Sequence, residues 1–164
     1  MEQKQIERIL SILTEDARTA PEEIAAMIGA SAEETAACIE ELQKQGVIVQ
    51  YVAVLNEEKI HAGYVQALIE VKVSPQRNEG FDVIAERLMT FDEVKSVYLM
   101  SGAYDLMLII EGKTLKDVAM FVSERLSPSE NVLSTATHFI LKKYKSNGVI
   151  MEKDGAEHRL VVTP

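Results

Sequence analysis

The hydrophobic period of this chain changes along its length, and the pattern divides it about a polar stretch at 57–63. Through residue 46, apolar side chains recur every three or four positions, the spacing of helices that bury one face. From residue 47 onward, stretches that alternate every second position, as strands do, are interleaved with two more helical stretches. Periods in that order require a small helical unit first and a mixed α+β unit after it.

Ile6, Ile9, Leu10 and Leu13 lie at i, i+3, i+4 and i+7, one face of a first helix. "RTAPEEIAAMIG" predicts a second, with Thr19 and Glu22 as a capping box, Pro21 in the first turn and Gly29 at the left-handed C-terminal position. A third helix follows: Ser31 with Glu34 forms another capping box, Thr35, Cys38, Ile39 and Leu42 make the inward stripe, and Gly46 ends it. About two residues separate the second and third helices, too few for an antiparallel pair, so the helices must cross steeply. "VIVQYVAVLN" (47–56) alternates as a strand. Three helices and a strand predict a winged helix-turn-helix over residues 1–56.

Residues 57–63, "EEKIHAG", form a polar linker. Beyond it, 64–73, 94–100, 105–111 and 131–144 read as strands. Phe81, Ile84, Ala85 and Leu88 stripe one helix; Leu115, Val118, Ala119, Val122 and Leu126 stripe another, stopped before Pro128. The order β-α-β-β-α-β predicts a ferredoxin-like domain over 64–164, an antiparallel sheet with both helices on one face. A closing hairpin is expected in 147–164, turning near Asp154-Gly155. Leu106, Leu108 and Ile110 point to one face of their strand, and Met107 and Ile109 to the other. Helices cover only one face of such a sheet, so the second apolar face calls for another subunit, and an oligomer, at least a dimer, is expected.

Cys38, the single cysteine, excludes an internal disulfide and fits a reducing compartment. On the apolar stripe of its helix it reads as a small core residue. No apolar run reaches the roughly 18–20 residues that span a bilayer. The opening "MEQKQIERIL" lacks the apolar segment of a signal peptide. A cytoplasmic protein without a membrane partner is expected. His61, His138 and His158 lie far apart, without the spacing of a metal site, and no nucleophile elbow, Walker A or dinucleotide fingerprint occurs. No enzyme, cofactor or metal is expected.

Three segments, "IGASAEETAACIEELQKQGVI" (28–48), "SGAYDLMLIIEG" (101–112) and "VLSTATHFIL" (132–141), occur in an order and at a spacing that resemble the Lrp/AsnC (leucine-responsive/asparagine regulator) family of bacterial and archaeal transcription regulators. The resemblance covers roughly residues 2–145. It implies a DNA-binding N-terminal domain, with Ser31, Ala32, Glu33, Thr35, Lys44 and Lys59 as candidate contacts. It also implies a C-terminal domain that dimerises, in many relatives assembles into octamers, and senses amino acids or related small molecules. In that family the loop between the second and third strands of the sensing domain lines the effector pocket, here Gly102, Ala103, Tyr104 and Asp105, with Thr135 and Thr137 from the last strand. The chemistry is suitable: Gly102 lets backbone N–H groups approach a ligand, Asp105 offers a charged acceptor to an ammonium group, and the threonines add hydroxyls. The alternative is that Asp105 only caps the turn and Tyr104 packs between subunits.

One departure from the family pattern bears on DNA. Relatives typically carry Thr-Val where this chain has Glu34 and Thr35, Arg where it has Cys38, and frequent basic residues where it has Glu40 and Glu41. Residues 1–50 hold four basic and ten acidic side chains, and so account for most of the formal net charge of −9. Phosphate contacts come chiefly from Lys, Arg and backbone N–H groups. Two readings follow. Lys4, Arg8, Arg18, Lys44, Lys59 and helix N-terminal amides bind DNA, amplified by many domains on one oligomer. Alternatively, the protein is an oligomeric small-molecule sensor whose acidic helix-turn-helix has lost DNA or meets a basic protein partner.

Overall fold

The computed structural model describes residues 1–57, 59–60, 63–74 and 80–151, in two units, Met1–Leu55 and Asn56–Pro164. In the first, helices α1 (Gln3–Glu15), α2 (Pro21–Ile28) and α3 (Ala32–Lys44) are each too short to persist alone in water. Burial holds them. Ile9, Ile12 and Ile24 form the centre, with Leu13, Ile28, Cys38 and Ile39 packed around it.

Local chemistry sets the helix ends. Gly29 closes α2 in the left-handed conformation (φ 68°). Ser31 Oγ accepts from Glu34 N at 3.1 Å while the Glu34 carboxylate accepts from Ser31 N at 3.4 Å, the expected capping box of α3. The box expected at Thr19 and Glu22 does not form. Pro21 is the first helical residue, which makes Ala20 the N-cap and leaves Thr19 one position early; its hydroxyl donates to Asp16 O at 2.9 Å instead.

The strand expected at 47–56 is also absent: residues 49–56 carry no regular secondary structure. A strand exists only in a ladder, and no described segment of the chain pairs with this one. Its apolar residues are left in water, with Val49 87% exposed and Val52 66%.

The second unit has a four-stranded antiparallel sheet in the order β2-β3-β1-β4, from β1 (Val65–Val73), β2 (Val94–Leu99), β3 (Leu106–Gly112) and β4 (Val132–Phe139). Helix α4 (Gly80–Met89) and helix α5 (Leu115–Phe121), the latter running into a π-helical turn at Val122–Leu126, complete the ferredoxin-like order. Both helices cover one face. Ile84, Leu88, Val118, Phe121 and Leu126 pack on Ala67, Ile69, Val71, Val73, Leu106, Leu108 and Ile110. The register pairs Leu68 with both Ile109 and His138, and Met107 with Glu70 and Tyr98, placing all of these on the opposite face.

β4 ends at Phe139, opposite Ala67, with one further bond beyond it, Ile140 N to Gln66 O at 2.9 Å. A small hairpin follows, β5 (Lys145–Ser146) and β6 (Val149–Ile150). It turns at Asn147-Gly148, with φ of 47° and 80° as a type I′ turn requires. The turn expected near Asp154-Gly155 lies outside the described residues, as do His61 and His158.

Gly112, at the end of β3, is glycine for space. A Cβ there would lie 2.9 Å from Val118 Cγ2 and 3.2 Å from Val118 N, the latter fixed backbone. Gly112→Ala is expected to destabilise the protein by about 1–3 kcal/mol, the usual cost of overpacking. The melting temperature followed by circular dichroism should fall by roughly 2–4 °C per kcal/mol. An unchanged midpoint would show that α5 moves aside freely.

Candidate nucleic-acid interface and ligand loop

The outward face of α3 presents Glu33, Glu34, Ala37, Glu40, Glu41 and Lys44. Three of the four carboxylates are engaged. Glu34 folds back on Ser31, Glu40 lies 3.7 Å from Lys44 Nζ, and Glu41 accepts from Gln45 Nε2 at 2.8 Å. The Glu33 side chain has no hydrogen bond or ion pair among the described residues.

Of the other candidate contacts, Ser31 is exposed and Ala32 half-buried. Thr35 requires correction: it is 0% exposed, and its hydroxyl donates to Ser31 O at 2.9 Å. It faces the core and has no surface to offer DNA. Lys59 belongs to the second unit, where its main-chain N–H donates to Asn56 O at 3.1 Å. Lys4, Arg8 and Arg18 are exposed on the first unit.

The loop between β2 and β3 is stitched to the sheet by Asp105. Its carboxylate accepts from Val73 N at 2.8 Å, its N–H donates to Val71 O at 3.1 Å, and its carbonyl accepts from Met100 N at 2.8 Å. One residue thus closes the ends of β1, β2 and β3, leaving Ser101, Gly102 and Ala103 projecting into solvent and Tyr104 half-buried. Gly102 has φ +152° and a Cβ there would meet nothing within 4 Å. Backbone conformation, rather than crowding, asks for glycine at this position.

Thr135 and Thr137 share one face of β4, the helix-covered one, because their partners on β1 are the buried Val71 and Ile69. Thr135 lies at the same end of the sheet as Asp105, on the other side of β1, so two strand spacings of about 4.8 Å separate their backbones. Its hydroxyl is 3.2 Å from Ser127 Oγ, just beyond the π-helical turn. Thr137 lies further along β4, beside Ile69, and is not brought to the loop.

Two clusters had no sequence signal, because their members are far apart in the chain. Arg125 lies 4.6 Å over the Phe91 ring and 5.5 Å from that of Phe121, and pairs with Glu93. Lys143 Nζ lies 2.6 Å from a Glu57 oxygen, and Asn56 Nδ2 donates to Met151 O at 2.7 Å. Burial, then the hydrogen bond to Glu57 and the charges of Glu57 and Glu111, push the Tyr64 phenol up to about 12. These contacts fasten the start of the second unit to its C-terminal hairpin.

No group of three or more His, Cys, Asp or Glu side chains that could hold a metal occurs among the described residues, and none of their helices is long and apolar enough to cross a membrane. The chain thus places a three-helix unit ahead of a ferredoxin-like unit with an anchored, glycine-bearing loop. Family models agree: a winged helix-turn-helix DNA-binding domain matches residues 3–49, and the Lrp/AsnC ligand binding domain matches residues 66–150. The chain belongs to the Lrp/AsnC family.

It is 49% identical to the HTH-type transcriptional regulator YugG of Bacillus subtilis over 158 residues, 95% of each chain. With the HTH-type regulator LrpA of Pyrococcus abyssi it shares 31% identity over 137 residues, 84% of this chain and 94% of the other. Among solved structures, the regulator NMB0573 of Neisseria meningitidis in complex with L-Met superposes with a TM-score of 0.70 at 24% identity, covering 89% of this chain and 93% of that one. Escherichia coli AsnC gives 0.68 at 18% identity, covering 89% and 96%. These last two likenesses concern the fold.

Proposed function

We propose that this protein is an oligomeric cytoplasmic regulator that couples binding of an amino acid, or a close relative of one, to DNA occupancy by α3. It works by binding and catalyses no reaction. The observation that carries the effector reading is the loop 101–105, projecting around Gly102 and anchored through Asp105 to three strands. Free backbone N–H groups suit a carboxylate, and a carboxylate oxygen suits an ammonium group. Tyr104 and Thr135 border the same end of the sheet. The neighbour from Neisseria meningitidis, which holds L-Met, supports the same ligand class.

Assembly follows from the sheet face bearing Leu68, Met107 and Ile109, which no described helix covers, and from the apolar segment 49–55, which pairs with no described segment. A second copy completes both. Ser31, Ala32 and Glu33 open the recognition helix toward the bases, while Lys4, Arg8, Arg18 and Lys44 meet phosphates. The acidic face makes each domain a weak binder, and the oligomer multiplies it.

A thermal-shift screen against the twenty amino acids tests the effector, since a ligand of the native state raises the melting temperature. Electrophoretic shifts with the protein's own upstream DNA test the operator. Replacing Glu40 by Lys and Glu41 by Arg adds cations where a recognition helix nears the backbone and frees Lys44 of its partner. This double variant should bind all DNA sequences more tightly and lose affinity with salt more steeply, by about one unit of log–log slope per added phosphate contact. Wild-type protein that shifts no DNA at low salt, with effectors present, while the double variant loses a basic protein partner, would replace DNA binding with the protein-partner reading.

A further inference from the structure

We propose that Glu33 is a base-reading residue of the recognition helix and that it selects cytosine at one position of each site the helix enters. The proposal rests on DNA binding by α3 and adds a sequence preference to it. Recognition helices meet base edges with residues of their N-terminal half. In that half of α3 the outward side chains are Ser31, Glu33, Glu34 and Ala37. Glu34 is occupied, its carboxylate turned back on the N–H and hydroxyl of Ser31 at 3.4 and 3.2 Å. Ala37 has neither reach nor polarity. Glu33 alone combines length, charge and an exposed position with no side-chain partner among the described residues. Glu40 and Glu41 lie in the second half and are held by Lys44 and Gln45.

An ionised carboxylate only accepts hydrogen bonds. Among major-groove base edges, donors are offered by cytosine N4 and adenine N6. Adenine places the N7 acceptor directly beside its donor, where it repels the second carboxylate oxygen; cytosine presents C–H there. Guanine offers two acceptors and thymine one acceptor and a methyl group, so either would leave a desolvated charge without a donor. Cytosine is the one base whose edge suits this side chain, and the others are rejected by repulsion as much as by a missing bond. The same carboxylate opposes phosphate contact, so its presence at this position weakens binding to DNA in general while sharpening choice among sequences.

The test is selection from a random DNA library by the full-length protein, wild type against Glu33→Gln and Glu33→Ala, with thermal unfolding confirming that all three fold. Wild type should enrich cytosine at one position of each site, and replacing it should weaken binding by roughly 5- to 150-fold. Glu33→Gln should move the preference there to adenine, whose N6 and N7 match an amide. Glu33→Ala should flatten that position and bind random DNA more tightly. If both variants select the wild-type sequence, the cytosine assignment is overturned while DNA binding stands. If wild type selects no DNA at any salt concentration, both fall together.

Discussion

On the proposed assembly through the sheet face, replacing Ile109 by glutamate is expected to leave a folded monomer. Ile109 lies in the middle of β3, paired with Leu68 on one side and Ser96 on the other, on the sheet face away from α4 and α5. No described helix packs on that face, so the substitution leaves the core of Ile69, Leu108 and Ile110 intact. Against a second copy it places a short charged group, unable to reach out to water as Lys or Arg would, in an apolar contact. Desolvating an unpaired charge costs several kcal/mol, and a symmetric dimer carries the substitution twice. Even about 5 kcal/mol for the pair weakens association on the order of several thousand-fold. Operator affinity should fall with it, by the 10²- to 10⁴-fold that linking two binding modules typically supplies. Light scattering at micromolar concentration, with circular dichroism to confirm folding, decides the matter. A variant that still assembles would mean that the open sheet face is not the contact.

The second large effect is expected at Asp105, where two substitutions separate two roles. Asp105→Ala removes the acceptor of Val73 N, a donor on a residue 5% exposed. An unsatisfied buried donor costs about 1–3 kcal/mol, and the loop is released from β1 as well. Asp105→Asn keeps an oxygen in that place and deletes only the charge. If the carboxylate also receives the ammonium of an amino acid, the Asn variant should melt near the wild-type temperature yet bind effector roughly ten- to a hundredfold more weakly, the loss of a charge-assisted hydrogen bond worth about 1.5–3 kcal/mol. An effector-induced thermal shift equal to wild type in Asp105→Asn, with loss of stability in Asp105→Ala, would assign the residue to strand closure alone.

Asp105 also shows what sequence reading can and cannot extract. That a carboxylate ends the loop is plain from "SGAYDLM", and both turn-capping and ligand contact are open to it. Its bond to Val73 N, 32 positions away, is not visible in any local pattern. Thr135 and Thr137 are a similar case. Their spacing puts them on one face, but which face depends on the register against Ile69 and Val71. Thr35 is the opposite case: the helical spacing already puts it on the inward stripe, and its full burial removes it from the candidate DNA contacts.

Local patterns by themselves determined the helices, the capping box at Ser31, the glycine stop at Gly29, the βαββαβ order and the two-sided apolarity of β3. Each of these follows from side-chain period or backbone preference within a few residues, which the chain carries wherever it is placed. Segment 47–56 has the same kind of pattern and yet forms no strand, because a ladder needs a partner and no described segment supplies one. Only the tertiary structure decided the register that sends Thr135 toward the helices and the closure of three strands on Asp105. Those are contacts between residues distant in sequence. Their outcome is set by which arrangement buries apolar surface without stranding a polar group, a property of the whole unit rather than of any segment.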